Sequence, residues 1–304
     1  MLYLELQEPL NSFAKLLSGT GIRTDSEQRE VKAIRKFSNS IVIPIRSEKR
    51  FGKFDLCTVI KNELEKQKVK LQSGDILVVS SKFAAMAEGR FVKLASVKPS
   101  RKARMLASRY HVDAPLAQLV LDESEAILGG IKGFLLAVSK GILAPNAGID
   151  RSNVPDGYAI LYPKNPHVSA ERLRSKLLRR FHYSNMKFRL GVVLSDSRVT
   201  PTRLGTIGIA IAASGFNPVM DSRGSTDLFG NTLKVTVRAI ADQLASSAQL
   251  VMGEADESVP IVIIRGCKVN FTGEKAANQD RNISMLIPYE KCLYIQGLKN
   301  SFKG

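Results

Sequence analysis

Ser195-Asp196-Ser197 sets one acid between two hydroxyls just past an apolar run, Leu190–Leu194, with Arg198 and Arg203 close behind. A carboxylate at the end of a buried strand, with guanidinium groups nearby, suits a metal-bound phosphate. The carboxylate holds the cation, and the arginine forks hold phosphoryl oxygens. Strand ends are where ligand chemistry collects in α/β structures. On local sequence alone the same residues read first as a strand and an Asx-turn with arginines in solvent. A second oxygen-rich stretch is Asn146-Ala147-Gly148-Ile149-Asp150-Arg151-Ser152-Asn153-Val154, which is either turn chemistry or a ligand loop. Ser80-Ser81-Lys82 follows the apolar Ile76–Val79 and precedes Ala87-Glu88-Gly89-Arg90, so phosphate-capable residues again sit beyond a buried strand. Glu254, Asp256 and Glu257 follow a helix that stops at Gly253. Acids there oppose the helix dipole, and a bound cation would remove the conflict.

The elements that must position these residues are legible from periodicity. Ile41–Ile45, Ile76–Val79, Phe134–Val138, Tyr158–Tyr162, Leu190–Leu194 and Ile261–Ile264 read as short buried strands. Asp55–Lys68 has helical spacing through Leu56, Val59, Ile60 and Leu64. Asp113 caps a helix whose apolar face includes Leu116, Leu119, Val120 and Ile127, ended by Gly129–Gly133. Ala170–Phe181 is a basic amphipathic helix with solvated arginines outside, and Val235–Val251 is a helix with Val237, Ile240, Leu244 and Ala248 on one face. Asp227–Leu233 reads as a hairpin turning at Gly230-Asn231. The polar residues 1–37 have no clear period and read as an N-terminal extension, disordered in part, ahead of one domain over 38–304.

A chain of 304 residues with 44% hydrophobic and 24% charged content has the composition of a globular protein. Its net charge of +17 admits nucleic acid, an anionic membrane surface or polyanionic small substrates as partners. The basic residues recur at Arg46–Lys53, Lys98–Arg109, Arg172–Arg189 and Lys268–Lys275, a broadly basic surface without a dedicated arm. Three widely spaced cysteines and three histidines argue against zinc and for reduced thiols in a cytoplasmic protein. No stretch reaches the length of a membrane span, and the N-terminus lacks the pattern of a signal peptide.

Five motifs stand in order along the chain. They are Ser80-Ser81-Lys82 with Ala87-Glu88-Gly89-Arg90, Asn146–Val154, Ser195-Asp196-Ser197, Asp221-Ser222-Arg223-Gly224 with Asp227 and Gly230, and Leu250-Val251-Met252-Gly253-Glu254. In this order they resemble the coenzyme F420-0:L-glutamate ligase (F420-0:γ-glutamyl ligase) family, over about Phe54 to Gly266. The resemblance implies an α+β homodimer with mixed sheets and flanking helices, using a nucleoside triphosphate (usually GTP, with ATP as the alternative) and Mg²⁺ or Mn²⁺. It joins L-glutamate to the carboxylate of F420-0, then adds a γ-linked glutamate. It further implies that Asp150 and Asp196 hold one metal, and Ser197, where the family usually has Thr, and Glu254 a second. Ser81, Lys82, Asn153, Met252, Gly253 and Glu254 then contact the nucleotide, and Asp196 and Arg203 act in catalysis.

The chemistry agrees with that implication. A carboxylate is a poor acylating agent until phosphoryl transfer makes it an acyl phosphate, and such transfer needs hard cations on oxygen ligands. This chain departs from the family pattern at Met86, where the family has a lysine, and at Val199-Thr200-Pro201 and Gly205-Thr206-Ile207. Those departures leave open a γ-glutamyl ligase for another acid, such as a folate. A basic nucleic-acid-binding protein is the competing class; no tryptophan and 7% aromatics leave it few stacking platforms.

Overall fold

In the computed structural model, which describes residues 40–181, 188–272 and 284–301, a five-stranded sheet carries the core. The first half holds β1 (Ile41–Ile45), α1 (Leu56–Lys66), β2 (Asp75–Ser80), α2 (Ser81–Ala87), β3 (Phe91–Lys93), α3 (Arg101–Tyr110), α4 (Ala114–Glu123), β4 (Ala126–Ile131), β5 (Phe134–Ser139) and β6 (Ile142–Pro145). Then follow β7 (Tyr158–Ile160), α5 (Pro166–Arg180), β8 (Leu190–Val199), β9 (Thr206–Ser214), β10 (Met220–Asp221), β11 (Val237–Arg238), α6 (Ile240–Met252), β12 (Ile261–Arg265) and α7 (Leu293–Ser301). The class is α+β; the five-stranded sheet is mixed, and the three smaller sheets, β3-β7, β4-β5-β6 and β10-β11, are antiparallel rather than mixed. The expected extension over 1–37 lies outside the described residues, as do parts of two basic clusters, at 182–187 and 273–275.

The central sheet has the order β1-β12-β2-β8-β9, with β2 and β8 parallel and the other neighbours antiparallel. The inner strands β12 and β2 and the first half of β8 are buried on both faces, so they read as continuous apolar runs. Alternate residues still choose opposite sides: Leu77, Val79, Val192, Leu194, Ile261 and Ile263 pack towards α1 and α5. Ile76, Val78, Val193, Val262 and Ile264 pack towards α6. Each such side chain, fully withdrawn from water, contributes about 1.5–3 kcal/mol. A smaller core joins α3 and α4 to β5 and the loop at 146–149 through Ala103, Leu116, Val120, Leu135 and Ile149.

Several elements differ from the sequence expectation. Strand β8 does not stop at Leu194; it runs on to Val199 because the glycine- and alanine-rich Thr206–Ser214 forms its partner strand, β9. Small residues are needed there for packing: a Cβ at Gly208 would overlap the backbone of Ala245 in α6. Ile127 leaves the helix face assigned to it and pairs with Ala137 in the β4–β5 ladder, while α4 ends at Glu123. Asp113 precedes α4 without capping it, since its carboxylate binds Arg151 instead. Helix α6 starts at Ile240, so Val237 lies in β11. Arg174 is not a solvated arginine of α5; it is buried and its Nε donates to Leu190 O at 2.8 Å.

Candidate functional site

Because β2 and β8 run parallel with Ser80 opposite Ser195, their carboxyl ends lie side by side. Helix α2 begins at Ser81 directly after β2, and β8 carries Asp196 one residue beyond Ser195. Asp196 shares a face with Leu194 below it and Arg198 above it, as strand alternation requires. Tyr162, buried just after β7, donates its hydroxyl to Asp196 Oδ2 at 2.5 Å. The Arg198 guanidinium donates to the same Tyr162 oxygen and to Leu143 O, and its Nη2 lies 3.4 Å from Asp196 Oδ2. The Tyr162 hydroxyl therefore accepts from Arg198 and donates to Asp196. Asp196 Oδ1 has a looser contact, with Ser81 Oγ at 3.4 Å.

Burial raises the Asp196 carboxyl above the usual carboxylate range; Tyr162 and Arg198 pull it down, and the charge of Asp150 pushes it up again. Tyr162 is held well above its ordinary value, first by burial and then by the Asp196 charge.

Asp150 comes from the 146–154 loop, pinned by reciprocal backbone bonds between Asp150 and Ile160. Gly148 lets that loop close: its φ is +73°, and a Cβ would overlap the Tyr162 ring. Lys82, from the first turn of α2, sets its Nζ 2.5 Å from Asp150 Oδ2 and 2.8 Å from Ser152 Oγ. Ser152 donates its N–H to Asp150 Oδ1 and its hydroxyl to Oδ2. Burial raises the Asp150 carboxyl, but Lys82 and Ser152 outweigh it, and the net shift is downward.

The other expected residues are placed around this pair. Asn153 donates Nδ2 to Ala255 O at 3.0 Å, tying the loop to the segment after α6. Glu254 in that segment accepts from Thr206 Oγ1 at 2.9 Å and Gln249 Nε2 at 2.7 Å. Ser197 is half-buried opposite Gly208, and Arg203 is exposed in the turn between β8 and β9. Gly253 ends α6 with a φ of +69°, and the Met252 side chain packs into the core. Met86 is also core, packed with Ala85 and Ile160, so a lysine there would bury its charge beneath α2. Among the described residues, no three Asp, Glu, His or Cys side chains gather as a metal-binding group. The acids after α6 are met by amides: Glu257 accepts from Ala255 N at 2.8 Å, and backbone donors, its own N–H first, lower its carboxyl. That local conflict needs no cation.

Sequence reasoning passed over Tyr162 and Ser152. Ser152 stood in the loop already singled out, but Tyr162 looked like the end of a strand, and no local signal marks it. The two carboxylates and the hydroxyls of Ser81 and Ser197 are hard oxygen donors of the type a divalent cation takes. The donor chemistry fits such an ion, with Lys82 and Arg198 now supplying the positive charge.

Residues 50–266 match the profile of the F420-0:Gamma-glutamyl ligase family. The chain is similar to the Coenzyme F420:L-glutamate ligase of Methanocaldococcus jannaschii, with 41% identity over 206 residues, 67% of this chain and 80% of that one. To the protein of the same name from Methanopyrus kandleri it is 39% identical over 207 residues, 68% of this chain and 80% of the relative. The corresponding protein of Methanothermobacter thermautotrophicus is 39% identical over 213 residues, 70% and 82%. No helix of the described residues is long and apolar enough to cross a membrane.

Proposed function

Since the chain belongs to the F420-0:gamma-glutamyl ligase family, we propose that it is a nucleotide-dependent ligase forming an amide between L-glutamate and the carboxylate of F420-0, and then a γ-linked glutamate. The observation that carries this reading is that the first turn of α2 joins the two acids, with Ser81 at Asp196, one residue past the parallel pairing of β2 and β8, and Lys82 at Asp150 of the 146–154 loop. A Mg²⁺ or Mn²⁺ ion on Asp150 and Asp196, with Ser197 and Glu254 available to a second, would supply charge neutralisation for phosphoryl oxygens. The chain's own residues do the rest. Tyr162 and Arg198 fix the Asp196 carboxylate through Oδ2 and leave Oδ1 towards the site. Lys82 offers a point charge to a triphosphate, and Ser81, Asn153 and the Met252-Gly253 segment would add neutral contacts to the nucleotide.

The acceptor carboxylate attacks the γ-phosphorus of GTP or ATP, the bond to the β-phosphate oxygen breaks, and a nucleoside diphosphate leaves. The glutamate amine then attacks the acyl carbon; phosphate departs and the amine loses its proton. Arg203, exposed at the β8–β9 turn, is placed to meet an incoming anion. In this reading the protein works as a homodimer, with the exposed Leu228 and Phe229 of the 226–232 hairpin as contact residues. Incubation with F420-0, glutamate, Mg²⁺ or Mn²⁺ and either triphosphate tests it. The expected result is a product one glutamyl unit heavier, with one nucleoside diphosphate and one phosphate released per bond formed. A folate in place of F420-0 tests the alternative acceptor, and no product from any combination overturns the reading.

A further inference from the structure

Helix α2 meets the aspartate site at both ends. Its first turn sets Ser81 against Asp196 and Lys82 against Asp150. Its far end runs into Ala87-Glu88-Gly89-Arg90, a segment with no role in the site described so far. That end closes in a Schellman cap. Gly89 N donates to Met86 O and Arg90 N to Ala85 O, each at 2.9 Å, with Gly89 at a φ of +76°. The cap turns the chain directly into β3. Arg90 O then accepts from Leu161 N at 2.9 Å, one step beyond the Phe91–Ile160 pair of the β3–β7 ladder. The backbone thus delivers Arg90 to the side of Tyr162.

Its side chain completes the contact. Nε donates to Tyr162 O at 2.9 Å and Nη2 to Glu123 Oε1 at 2.7 Å, so the planar fork spans the chain after β7 and the last residue of α4. The Arg90 and Glu123 side chains are only 22% and 16% exposed, and Lys140 Nζ holds Glu123 from its other oxygen at 3.6 Å. A lysine would not reproduce this, because its ammonium is a point charge on a flexible stem and fixes no plane between two acceptors. On the other side of Tyr162, Gly148 closes against the ring. With the ring confined, the position of the Tyr162 main chain decides where its hydroxyl stands. We propose that Arg90 is a positioning residue of the aspartate site: its guanidinium holds the Tyr162 main chain so that the hydroxyl sits between Arg198 and Asp196. Its effect on turnover rests on the ligase reading above.

The test is a double-mutant cycle. Arg90→Lys keeps a charge facing Glu123 and removes the fork, and Tyr162→Phe removes only the hydroxyl. In assays of the glutamyl product, Arg90→Lys should lower kcat by about tenfold or more, with KM for glutamate unchanged. In the Tyr162→Phe background it should lower kcat no further, since the hydroxyl it positions is gone. An equal fold loss in both backgrounds, or no loss in either, overturns the proposal. Should Arg90→Lys be unfolded at the assay temperature, Glu123→Gln takes its place in the cycle with the same two outcomes. It leaves Nη2 an oxygen acceptor and removes the charge that clamps the fork. Should the wild type make no glutamyl product, the ligase reading fails by itself, and urea unfolding of the same proteins decides Arg90. Arg90→Lys should then shift the midpoint less in the Tyr162→Phe background than in the wild type, and equal shifts overturn the proposal.

Discussion

The tripeptide Asp-Ser-Arg occurs twice, at 196–198 and at 221–223, and the two copies behave in opposite ways. At 221–223 the pair is exposed and self-contained: Arg223 Nε lies 2.9 and 3.0 Å from the two oxygens of Asp221, and Nη2 lies 2.5 Å from Oδ2. The Arg223 side chain, followed by its backbone N–H, holds the Asp221 carboxyl down at about 2. At 196–198 the arginine is buried, and the same ion pair lengthens to 3.4 Å because Tyr162 inserts its hydroxyl between the partners. Burial there pushes the acid up. An Asp-Ser-Arg sequence thus carries no fixed chemistry. In solvent the guanidinium consumes the carboxylate, whereas in the sheet the strand forces alternation and a third residue keeps one carboxylate oxygen available.

Neutralising each acid breaks the comparison most severely. Asp196→Asn should lower glutamate ligation by about 10²–10³-fold or more, while Asp221→Asn stays within about twofold. Comparable losses in the two variants would show that burial is not what separates them. Next comes the inserted hydroxyl. Tyr162→Phe should cost about 1–3 kcal/mol in denaturant unfolding, since it strips a buried carboxylate and guanidinium of their shared partner. It should also lower turnover by roughly 10–100-fold. Turnover equal to wild type would mean that Arg198 alone orients Asp196.

Gly148→Ala tests the loop behind Tyr162. It places a Cβ against the ring at a positive φ and should destabilise by about 2–3 kcal/mol, with the melting temperature as the readout. An unaltered transition would show that the ring and the loop do not press on each other. The mildest effect concerns Asp55, a solvent-side acid like Asp221. The Thr58 N–H, aided by Lys176, holds its carboxyl at about 2 against an ordinary 3.8. A depressed carboxyl stabilises fully above its unfolded value, so this contribution fades as pH falls from 3.8 through about 2. Asp55→Asn keeps an acceptor for the cap and should flatten that acid limb in a pH series of melts. Asp55→Ala should lose about 1 kcal/mol at neutral pH.

Much of this was legible in the sequence. The apolar runs at 41–45, 76–79, 190–194 and 261–264 announced strands because a sheet buried on both faces allows little else. The oxygen-rich segments at 80–82, 146–154 and 195–197 did come together, bringing Asp150 near Asp196, with Lys82 at Asp150 and Ser81 at Asp196. What could not be read was set by tertiary pairing. Thr206–Ser214 was not among the strands read from the apolar runs, because its small residues serve α6, which lies far away in sequence. Arg174 looked like surface because its acceptor is a backbone carbonyl of β8. Tyr162 gave no sign of its role, since its partners enter from another strand.

Strand β12 sits between β1 and β2, and it is the last of the sheet's strands to be made. On the ribosome, β1 emerges early and waits for Ile261–Arg265, with Ile41 finally meeting Arg265. Until then β2 offers a bare apolar edge, and buried Asp75 lacks the guanidinium of Arg265, whose Nε ends 2.9 Å from Asp75 Oδ1. Closure over such a sequence separation is slow, and an unpaired inner strand invites pairing with other chains. A nascent chain halted before Ile261 would therefore be a hazard for aggregation, and the wild type should depend on chaperone protection until its final strand slots home.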